Sequence, residues 1–400
     1  GMVLPGTLFE EIGFNYIGPV DGHDVQELVR TLRNLQKLRG PQFLHVVTRK
    51  GKGYPPAEAD PIAWHDPGPF DVQSGRLLEP QGARRHFADT FGAWACDVAA
   101  LDQKIVCITP AARGGCGLGE FSRRFPDRYF DVGIAEQHAL TFAAGLATQG
   151  FKPIVAIHST FLQRAYDQLI HDIALQKLPV VIAVDRAGLV GGDGATHQGS
   201  YDLSYLRCIP GLVIMAPTDQ RECRQMLCTA STLKGPAIVR YPCGPAPVES
   251  LSAATTTLPV GGGEIRCEGS SGLALLVFGT LLDAARRIAE RLDATLVNMR
   301  FVKPLDQDLV CAVCARHAAL VTIEENAIAG GAGSAVGELL KSKHLQIPLL
   351  QLGIPDSFIE HGSRESCLTA AGLDLNGLSA SVERWWGARQ KPVLRLADSA

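Results

Sequence analysis

The sequence contains no apolar run of the length that a membrane-spanning helix needs, which is about 20 residues. Its long apolar stretches, such as residues 178–184 and 273–278, have the length of buried strands. Long runs of Lys or Arg are also absent, and 38 basic against 41 acidic residues give a formal charge of −3. A nucleic-acid partner needs rows of cations opposite its phosphates. We therefore expect neither a membrane nor a nucleic acid as a partner.

The sequence shows neither the residue pattern of a signal peptide nor the cysteine spacing of a disulfide framework. Residues 1–11 have no basic region followed by an apolar one, and they include two glutamates. The eleven cysteines are odd in number and scattered, and some, such as Cys107 and Cys208, lie within apolar runs. This usage is typical of reduced thiols, so we predict a cytoplasmic protein.

One short cysteine spacing resembles a metal site. Cys311 and Cys314 are three residues apart, which places them on one face of a helix, and His317 follows closely. No second pair of matching spacing exists to complete a tetrahedral zinc site. We therefore expect no metal ligands in this chain.

The length of 400 residues and the 42 glycines describe a globular protein of two or three domains with many tight turns. Apolar strands alternate with helical patterns across residues 82–241 and 273–353, and one helix is expected at 161–176. This alternation predicts an α/β fold of consecutive doubly wound, mainly parallel sheets. The predicted parts are the tail of a larger N-terminal domain at 1–55, a linker at 56–82, a second domain at 83–245 and a third domain at 264–400.

Ligands of open parallel sheets bind beyond the carboxyl ends of the strands. Three polar segments of the second domain are expected there: 131–138, 158–164 and the glycine-rich 185–199. By spacing alone, Glu136 is typical of a residue that stabilises a helix N-terminus. For the glycine-rich segment, both a ligand-binding and a structural interpretation stay open, since glycines let a backbone approach a ligand or a packed neighbour.

Long motifs carry a family resemblance. The segments GIAEQHALTFAAGLA and STFLQRAYDQLIHDIALQKLPVVIAVDRAGLVGGDGATHQG, together with FVKPLD and TIEENAIAGGAGS, closely resemble 1-deoxy-D-xylulose-5-phosphate synthases. The opening segments GTLFEEIGFNYIGPVDGHD and TRKGKGY do so as well. The resemblance covers nearly the whole chain, and motifs of this length in this order are highly specific.

The resemblance implies a transketolase-type fold, with the tail of a diphosphate-binding domain first, then a pyrimidine-binding domain and a C-terminal domain. It implies thiamine diphosphate and Mg²⁺ as cofactors and a homodimer. The implied reaction is the condensation of pyruvate with D-glyceraldehyde 3-phosphate to 1-deoxy-D-xylulose 5-phosphate and carbon dioxide. This product feeds isoprenoid, thiamine and pyridoxal synthesis.

The resemblance also implies roles for individual residues. Glu136 shares a proton with the cofactor's pyrimidine, and Phe161 and Tyr54 contact the cofactor. His65 and His197 match histidines that move protons near the reacting carbons. The substrate-binding positions are Arg164, Arg186, His158 and Asp193, and Asp193 is also a catalytic candidate.

The sequence departs from the family pattern at the expected substrate site. Position 158 is His where the family carries Tyr, and position 243 is Cys where Arg is expected. The loop 111–116 lacks the expected Met, Glu and Ser. Loss of a guanidinium is expected to weaken binding of the acceptor's phosphate.

The family's Gly-Asp-Gly and Asn ligands for Mg²⁺ and the diphosphate have no counterpart in these 400 residues. We therefore expect weak cofactor binding and no turnover by this chain alone. Two alternatives are the β-type subunit of a 2-oxo acid dehydrogenase, which would not start with residues like 1–70, and a catalytically inactive scaffold paralogue.

Overall fold

The computed structural model describes residues 7–65, 67–78, 86–244 and 256–390. Parts of the predicted linker and of the second break in the pattern lie outside these residues. The chain divides into two compact units, Gly1–Ala83 and Arg84–Ala400. Across the described residues, no helix combines the length and the apolar character that crossing a bilayer requires.

The first unit is a small strand–helix–strand layer. Its elements are α1 (Thr7–Glu11), β1 (Asn15–Asp21), α2 (Val25–Leu35), β2 (Gln42–Val47) and α3 (Pro55–Ala59). The strands β1 and β2 pair in parallel, as a crossover through α2 requires. Asp24 begins α2, since its Oδ1 accepts a hydrogen bond of 2.9 Å from the backbone N–H of Glu27.

The second unit contains two sheets. Its strands are β3 (Ile105–Thr109), β4 (Tyr129–Asp131), β5 (Lys152–His158), β6 (Val181–Asp185), β7 (Val213–Met215), β8 (Ala237–Arg240), β9 (Glu264–Cys267), β10 (Leu273–Phe278), β11 (Thr295–Asn298), β12 (Phe301–Lys303), β13 (Ala319–Ala327) and β14 (Leu349–Ile354). Its α-helices are α4 (Phe87–Leu101), α5 (Gly119–Arg124), α6 (Glu136–Thr148), α7 (Ser159–Leu162), α8 (Tyr166–Gln168), α9 (Asp202–Leu206), α10 (Gln220–Thr232), α11 (Leu282–Leu292), α12 (Gln307–Cys314), α13 (Ala332–Ser342), α14 (Arg364–Ala370) and α15 (Leu375–Gln390).

The larger sheet has the strand order β12-β7-β8-β6-β5-β3-β4, and the smaller has β14-β13-β10-β11-β9. All pairs are parallel except β12 with β7 and β9 with β11. Every residue of β3 and β6 is buried, because helices cover both faces of such a sheet. The predicted α/β class with mainly parallel sheets is confirmed.

Strand β12 was not anticipated. Its residues follow β11 of the smaller sheet, yet Phe301 and Lys303 pair with β7 of the larger one. The sequence gives no sign of this exchange, because three residues are too few to carry a strand pattern. The pairing ties the two sheets together.

The continuous helix expected at 161–176 is wrong in detail. The chain forms α7, then a 3₁₀ turn at Gln163–Ala165, then α8 and a π-helical turn at Leu169–Ala174. Leu162, Ala165 and Leu169 are fully buried. Their spacing indicates one buried helical face but does not distinguish α turns from tighter or wider ones.

A buried ion pair connects the two sheets. The Nε and Nη2 atoms of Arg240, at the end of β8, donate to the two carboxylate oxygens of Asp202 at 2.7 and 2.9 Å. Nη2 also donates to the carbonyl oxygen of Glu325 in β13 at 3.1 Å. The Arg240 and Asp202 side chains are 4% and 0% exposed. This two-pronged geometry is what a guanidinium needs to compensate its own desolvation.

We expect Arg240→Met to lower the free energy of unfolding by about 3–5 kcal/mol, because it leaves the Asp202 charge buried without a partner. Urea titration followed by circular dichroism measures the change. The control is Arg286→Met on α11, whose pairs with Asp283 and Glu290 are half-exposed and screened by solvent, so its effect should be much smaller. Equal costs for the two variants would contradict a structural role for the buried pair.

Candidate active site

The carboxyl ends of four neighbouring parallel strands assemble the candidate site. In the larger sheet these strands have the order β6-β5-β3-β4 and all pair in parallel, so the segments that follow them meet at one edge. The residues at and beyond these strand ends include 110–118, 131–138, 158–164 and 185–199. The polar segments selected from the sequence therefore lie where the fold gathers ligand-binding groups.

Glu136 is the first residue of α6 and is only 2% exposed. Asp131 shapes the preceding loop, since its Oδ1 accepts hydrogen bonds from the backbone N–H groups of Ala111 and Gly133 at 2.9 and 3.0 Å. The Oε2 atom of Glu136 lies 3.1 Å from Nη1 of Arg164. Within the described residues, this buried oxygen has no hydrogen bond of good geometry. It is therefore available to a ligand.

Phe161 stands between two histidines. Its ring centroid is 5.8 Å from that of His158 in a stacked arrangement, and 5.3 Å from that of His197 in an edge-on arrangement. The Nδ1 of His197 is 2.8 Å from Oγ1 of Thr196. This contact leaves Nε2 of His197 as the ring nitrogen available to a substrate.

His158 is held as a neutral imidazole. Burial lowers its pKa to about 3, and the nearby positive charge of Arg186 acts in the same direction. Neither ring nitrogen has a hydrogen-bond partner in the described parts of the chain. Burial has the opposite effect on the neighbouring carboxyl group of Asp185 and raises its pKa to about 7. The site thus concentrates buried polar groups that its own residues do not satisfy.

Arg186 and Asp193 form a charged pair at the mouth of the glycine-rich loop. Nη1 of Arg186 is 3.3 Å from Oδ2 of Asp193. Arg186 has a positive φ of 56°, and its backbone N–H donates to Oδ1 of Asp185 at 2.7 Å. Its Nε is buried and unpaired among the residues described. A guanidinium held in this way is suited to an anionic ligand.

The glycine-rich loop is fixed at its base and against the smaller sheet. Gly188 and Gly199 exchange two backbone hydrogen bonds of 2.7 Å. A Cβ at Gly199 would lie 2.3 Å from the carbonyl oxygen of Arg186, so only glycine fits there. The Glu325 carboxylate accepts from the backbone N–H of Leu189 at 2.8 Å and from Nη2 of Arg364 at 2.6 Å. The sequence analysis missed Arg364, although the Glu324-Glu325-Asn326 run was a visible signal for its partner.

Tyr54 and His65 belong to the first unit. The Tyr54 hydroxyl donates to the carbonyl oxygen of Val72 at 3.1 Å, and its ring lies edge-on to Trp64 with centroids 4.9 Å apart. His65 is exposed. Their expected roles stay predictions. The roles expected for the other site residues stay predictions as well, and those residues all lie at the edge described above: Glu136, His158, Phe161, Arg164, Arg186, Asp193 and His197.

The Cys311, Cys314 and His317 group has no free imidazole nitrogen. Nδ1 of His317 is 2.7 Å from the carbonyl oxygen of Val313, and Nε2 is 2.8 Å from Oγ1 of Thr295. Both ring nitrogens are thus used in holding α12 against β11, which favours a structural role.

Three family models match successive parts of the chain. The 1-deoxy-D-xylulose-5-phosphate synthase model matches residues 1–48, the transketolase pyrimidine binding domain matches 85–246, and the transketolase C-terminal domain matches 261–378.

Solved structures agree on the fold. The chain superposes on an inactive β4 tetramer of a split-gene transketolase with a TM-score of 0.66 and 29% identity, covering 76% of this chain and 98% of that one. The transketolase of Campylobacter jejuni gives a TM-score of 0.62 at 17% identity, over 95% of this chain and 68% of the other, and supports the fold alone.

Curated relatives carry the name 1-deoxy-D-xylulose-5-phosphate synthase. Those of Methylococcus capsulatus and Thioalkalivibrio sulfidiphilus are 59% and 60% identical over 96% of this chain and 60% of their own length. The relative from Escherichia coli O6:K15:H31 is 58% identical over 96% of this chain and 62% of its own length. The chain thus spans about three-fifths of the length of the relatives it matches, and it belongs to the 1-deoxy-D-xylulose-5-phosphate synthase family.

Proposed function

We propose that this chain supplies the pyrimidine-binding and C-terminal parts of an enzyme that condenses pyruvate with D-glyceraldehyde 3-phosphate to 1-deoxy-D-xylulose 5-phosphate and carbon dioxide. The observation that carries the proposal is the Glu136 carboxylate, which is 2% exposed and has an Oε2 atom without a hydrogen bond from the described residues. A buried carboxylate oxygen that has an ion pair but no hydrogen bond of good geometry is completed by a ligand that donates one.

The residues present fit thiamine diphosphate. Glu136 would hold the pyrimidine through a hydrogen bond accepted by Oε2, and the half-buried ring of Phe161 offers a flat apolar face for it. When bound, the cofactor supplies a nucleophilic carbon and accepts the electrons released by decarboxylation. Its diphosphate and Mg²⁺ need the Gly-Asp-Gly and Asn segment of the family, and the functional form is expected to be a homodimer.

The remaining side chains have separate tasks. The pairing with Arg164 keeps the Glu136 carboxylate oriented. His197 is positioned by Thr196 to exchange a proton through Nε2. Arg186 would bind an anionic group of donor or acceptor, and Asp193 limits the movement of its guanidinium.

The observations bear differently on the two alternative functions. The match of residues 1–48 to the synthase model supports a synthase over the β-type subunit of a 2-oxo acid dehydrogenase. The departures at His158 and Cys243 favour an inactive scaffold, and the activity tests below decide this question. The inactive β4 tetramer of the split-gene transketolase supports the view that such a chain needs a partner segment for turnover.

Turnover is expected only when a diphosphate-binding segment is supplied. The test joins residue 1 to the segment that precedes the matched region in the Methylococcus capsulatus relative. With thiamine diphosphate and Mg²⁺, this chimaera is expected to release carbon dioxide from pyruvate in the presence of glyceraldehyde 3-phosphate, whereas the 400-residue chain is not. Equal turnover by the shorter chain would contradict the requirement. A folded, cofactor-binding chimaera without turnover would favour the scaffold.

In the chimaera, Glu136→Gln is expected to lower kcat by about 10²-fold or more, because the amide cannot exchange a proton with the cofactor. The matched control is Glu290→Gln on the exposed face of α11, which should leave kcat unchanged. Steady-state kinetics measures both variants, and circular dichroism verifies their folding. A Glu136→Gln variant with full activity would remove the basis of the proposal.

Cys243→Arg is expected to lower the KM for D-glyceraldehyde 3-phosphate about tenfold, because a charge-assisted hydrogen bond contributes roughly 1.5–3 kcal/mol. Cys243 lines a cavity together with Asp185 and Gly115, so the new guanidinium would enter the candidate site. The KM for pyruvate should not change. Cys311→Arg, on α12, is the control. An unchanged acceptor KM would place the acceptor's phosphate elsewhere.

A further inference from the structure

Three side chains of metal-ligating types converge at the carboxyl edge of the larger sheet. His158 and Asp185 end β5 and β6 and are register partners on these parallel strands, so their side chains project from the same face. Cys116 comes from the loop after β3, which flanks β5 on its other side. One ligand atom from each, the thiol sulfur, an imidazole nitrogen and a carboxylate oxygen, lies within 4.8 Å of the other two.

The three groups are buried, and the imidazole lacks partners. Cys116, His158 and Asp185 are 0%, 9% and 3% exposed. Neither nitrogen of His158 forms a hydrogen bond within the described residues. A buried imidazole with no partner costs free energy, which favours a ligand that the described residues do not provide.

The three ligand atoms would bind a small cation after a slight shift of their side chains. Tetrahedral zinc with bonds of about 2.0–2.3 Å holds its ligand atoms roughly 3.3–3.6 Å apart. The mutual distances in the cluster, all below 4.8 Å, approach this range. Sulfur, nitrogen and oxygen together are a typical zinc set, and thiolate selects against Mg²⁺ and Ca²⁺. The ion is thus distinct from the Mg²⁺ that accompanies thiamine diphosphate.

Charge favours a divalent ion in the cluster. Burial raises the pKa of the Cys116 thiol well above its usual value, so an ion would have to displace the thiol proton, and a divalent cation would then neutralise the thiolate and the Asp185 carboxylate together. The guanidinium of Arg186 lies near this group, but it is already paired with Asp193 at 3.3 Å. The cluster with its ion would therefore have no net charge, and the charge of the neighbouring Arg186 would be balanced by Asp193.

A cavity gives access to the cluster. It has a volume of about 200 Å³ and is lined by Asp185, Gly114, Gly115 and Cys243, among others. A Cβ at Gly115 would lie 3.2 Å from Nε2 of His158, so the glycine keeps the cavity open toward the imidazole. This volume is sufficient for several waters, at about 30 Å³ each. A fourth, exchangeable ligand therefore has room.

We propose that Cys116, His158 and Asp185 bind one Zn²⁺ ion, or a cation of the same class, with its fourth coordination position facing this cavity. Three protein ligands with one open position is the arrangement of zinc sites that act on bound water or substrate oxygen. The His158 ring also stacks on Phe161, which would bring the ion to the border of the candidate active site. The proposal does not depend on the proposed condensation.

The test is titration of the metal-free 400-residue chain with Co²⁺, followed by Zn²⁺ competition. We expect one equivalent of Co²⁺ to bind with a thiolate-to-cobalt charge-transfer band, Zn²⁺ to displace it, and excess Mg²⁺ to have no effect. Cys116→Ser should abolish the band, and His158→Phe should weaken binding by more than about tenfold, since even outer-shell changes cost 10–100-fold. Cys96→Ser, which removes another buried thiol on α4, should behave like the unchanged chain.

Two outcomes overturn the site: no Co²⁺ or Zn²⁺ retained at micromolar concentration, or a charge-transfer band that persists in Cys116→Ser. Circular dichroism in the presence of a chelator identifies any variant that fails to fold. If Cys116→Ser is unfolded, Asp185→Asn takes its place, with loss of metal affinity as the expected result and unchanged affinity as the contrary one. Because no substrate or thiamine diphosphate is used, failure here leaves the proposed condensation unaffected.

Discussion

The parallel pairing of β4, β3, β5 and β6 is the constraint on which the rest of the site depends. It requires every loop that follows these strands to emerge at the same edge. Glu136 follows β4, Phe161 follows β5 and His197 follows β6, and they share this edge for that reason. The same pairing sets His158 beside Asp185, which concentrates buried polar groups where a purely structural protein would have apolar ones.

Charged groups of β13 in the smaller sheet stabilise this edge. The Glu325 carboxylate accepts hydrogen bonds from the backbone N–H of Leu189 and from the guanidinium of Arg364. The backbone carbonyl oxygen of Glu325 accepts one from Arg240. One buried residue of β13 therefore fixes the glycine-rich loop and the end of β8 together. These contacts explain why the glycine-rich loop can contain many glycines and still have a defined conformation.

The predictions from the sequence succeeded where a signal is local or long. Buried strands such as β10 appear as continuous apolar runs, and the alternation of strands and helices predicted the α/β class. The family was identified from motifs that span tens of residues. The π-helical turn at Leu169–Ala174 and the three-residue β12 were not anticipated. In both cases side-chain spacing does not determine which backbone hydrogen bonds form, because packing against the sheet selects among similar local conformations.

The sequence by itself determined the fold class, the family and the identity of the polar side chains that follow each strand. Only the tertiary structure decided which of these side chains meet. Cys116, His158 and Asp185 are 42 and 27 residues apart along the chain, so no motif spacing reveals them as a group. They come together because adjacent parallel strands end at one edge, and their burial leaves an imidazole without a partner. A linear pattern cannot express this, since burial depends on what the whole fold places around a residue.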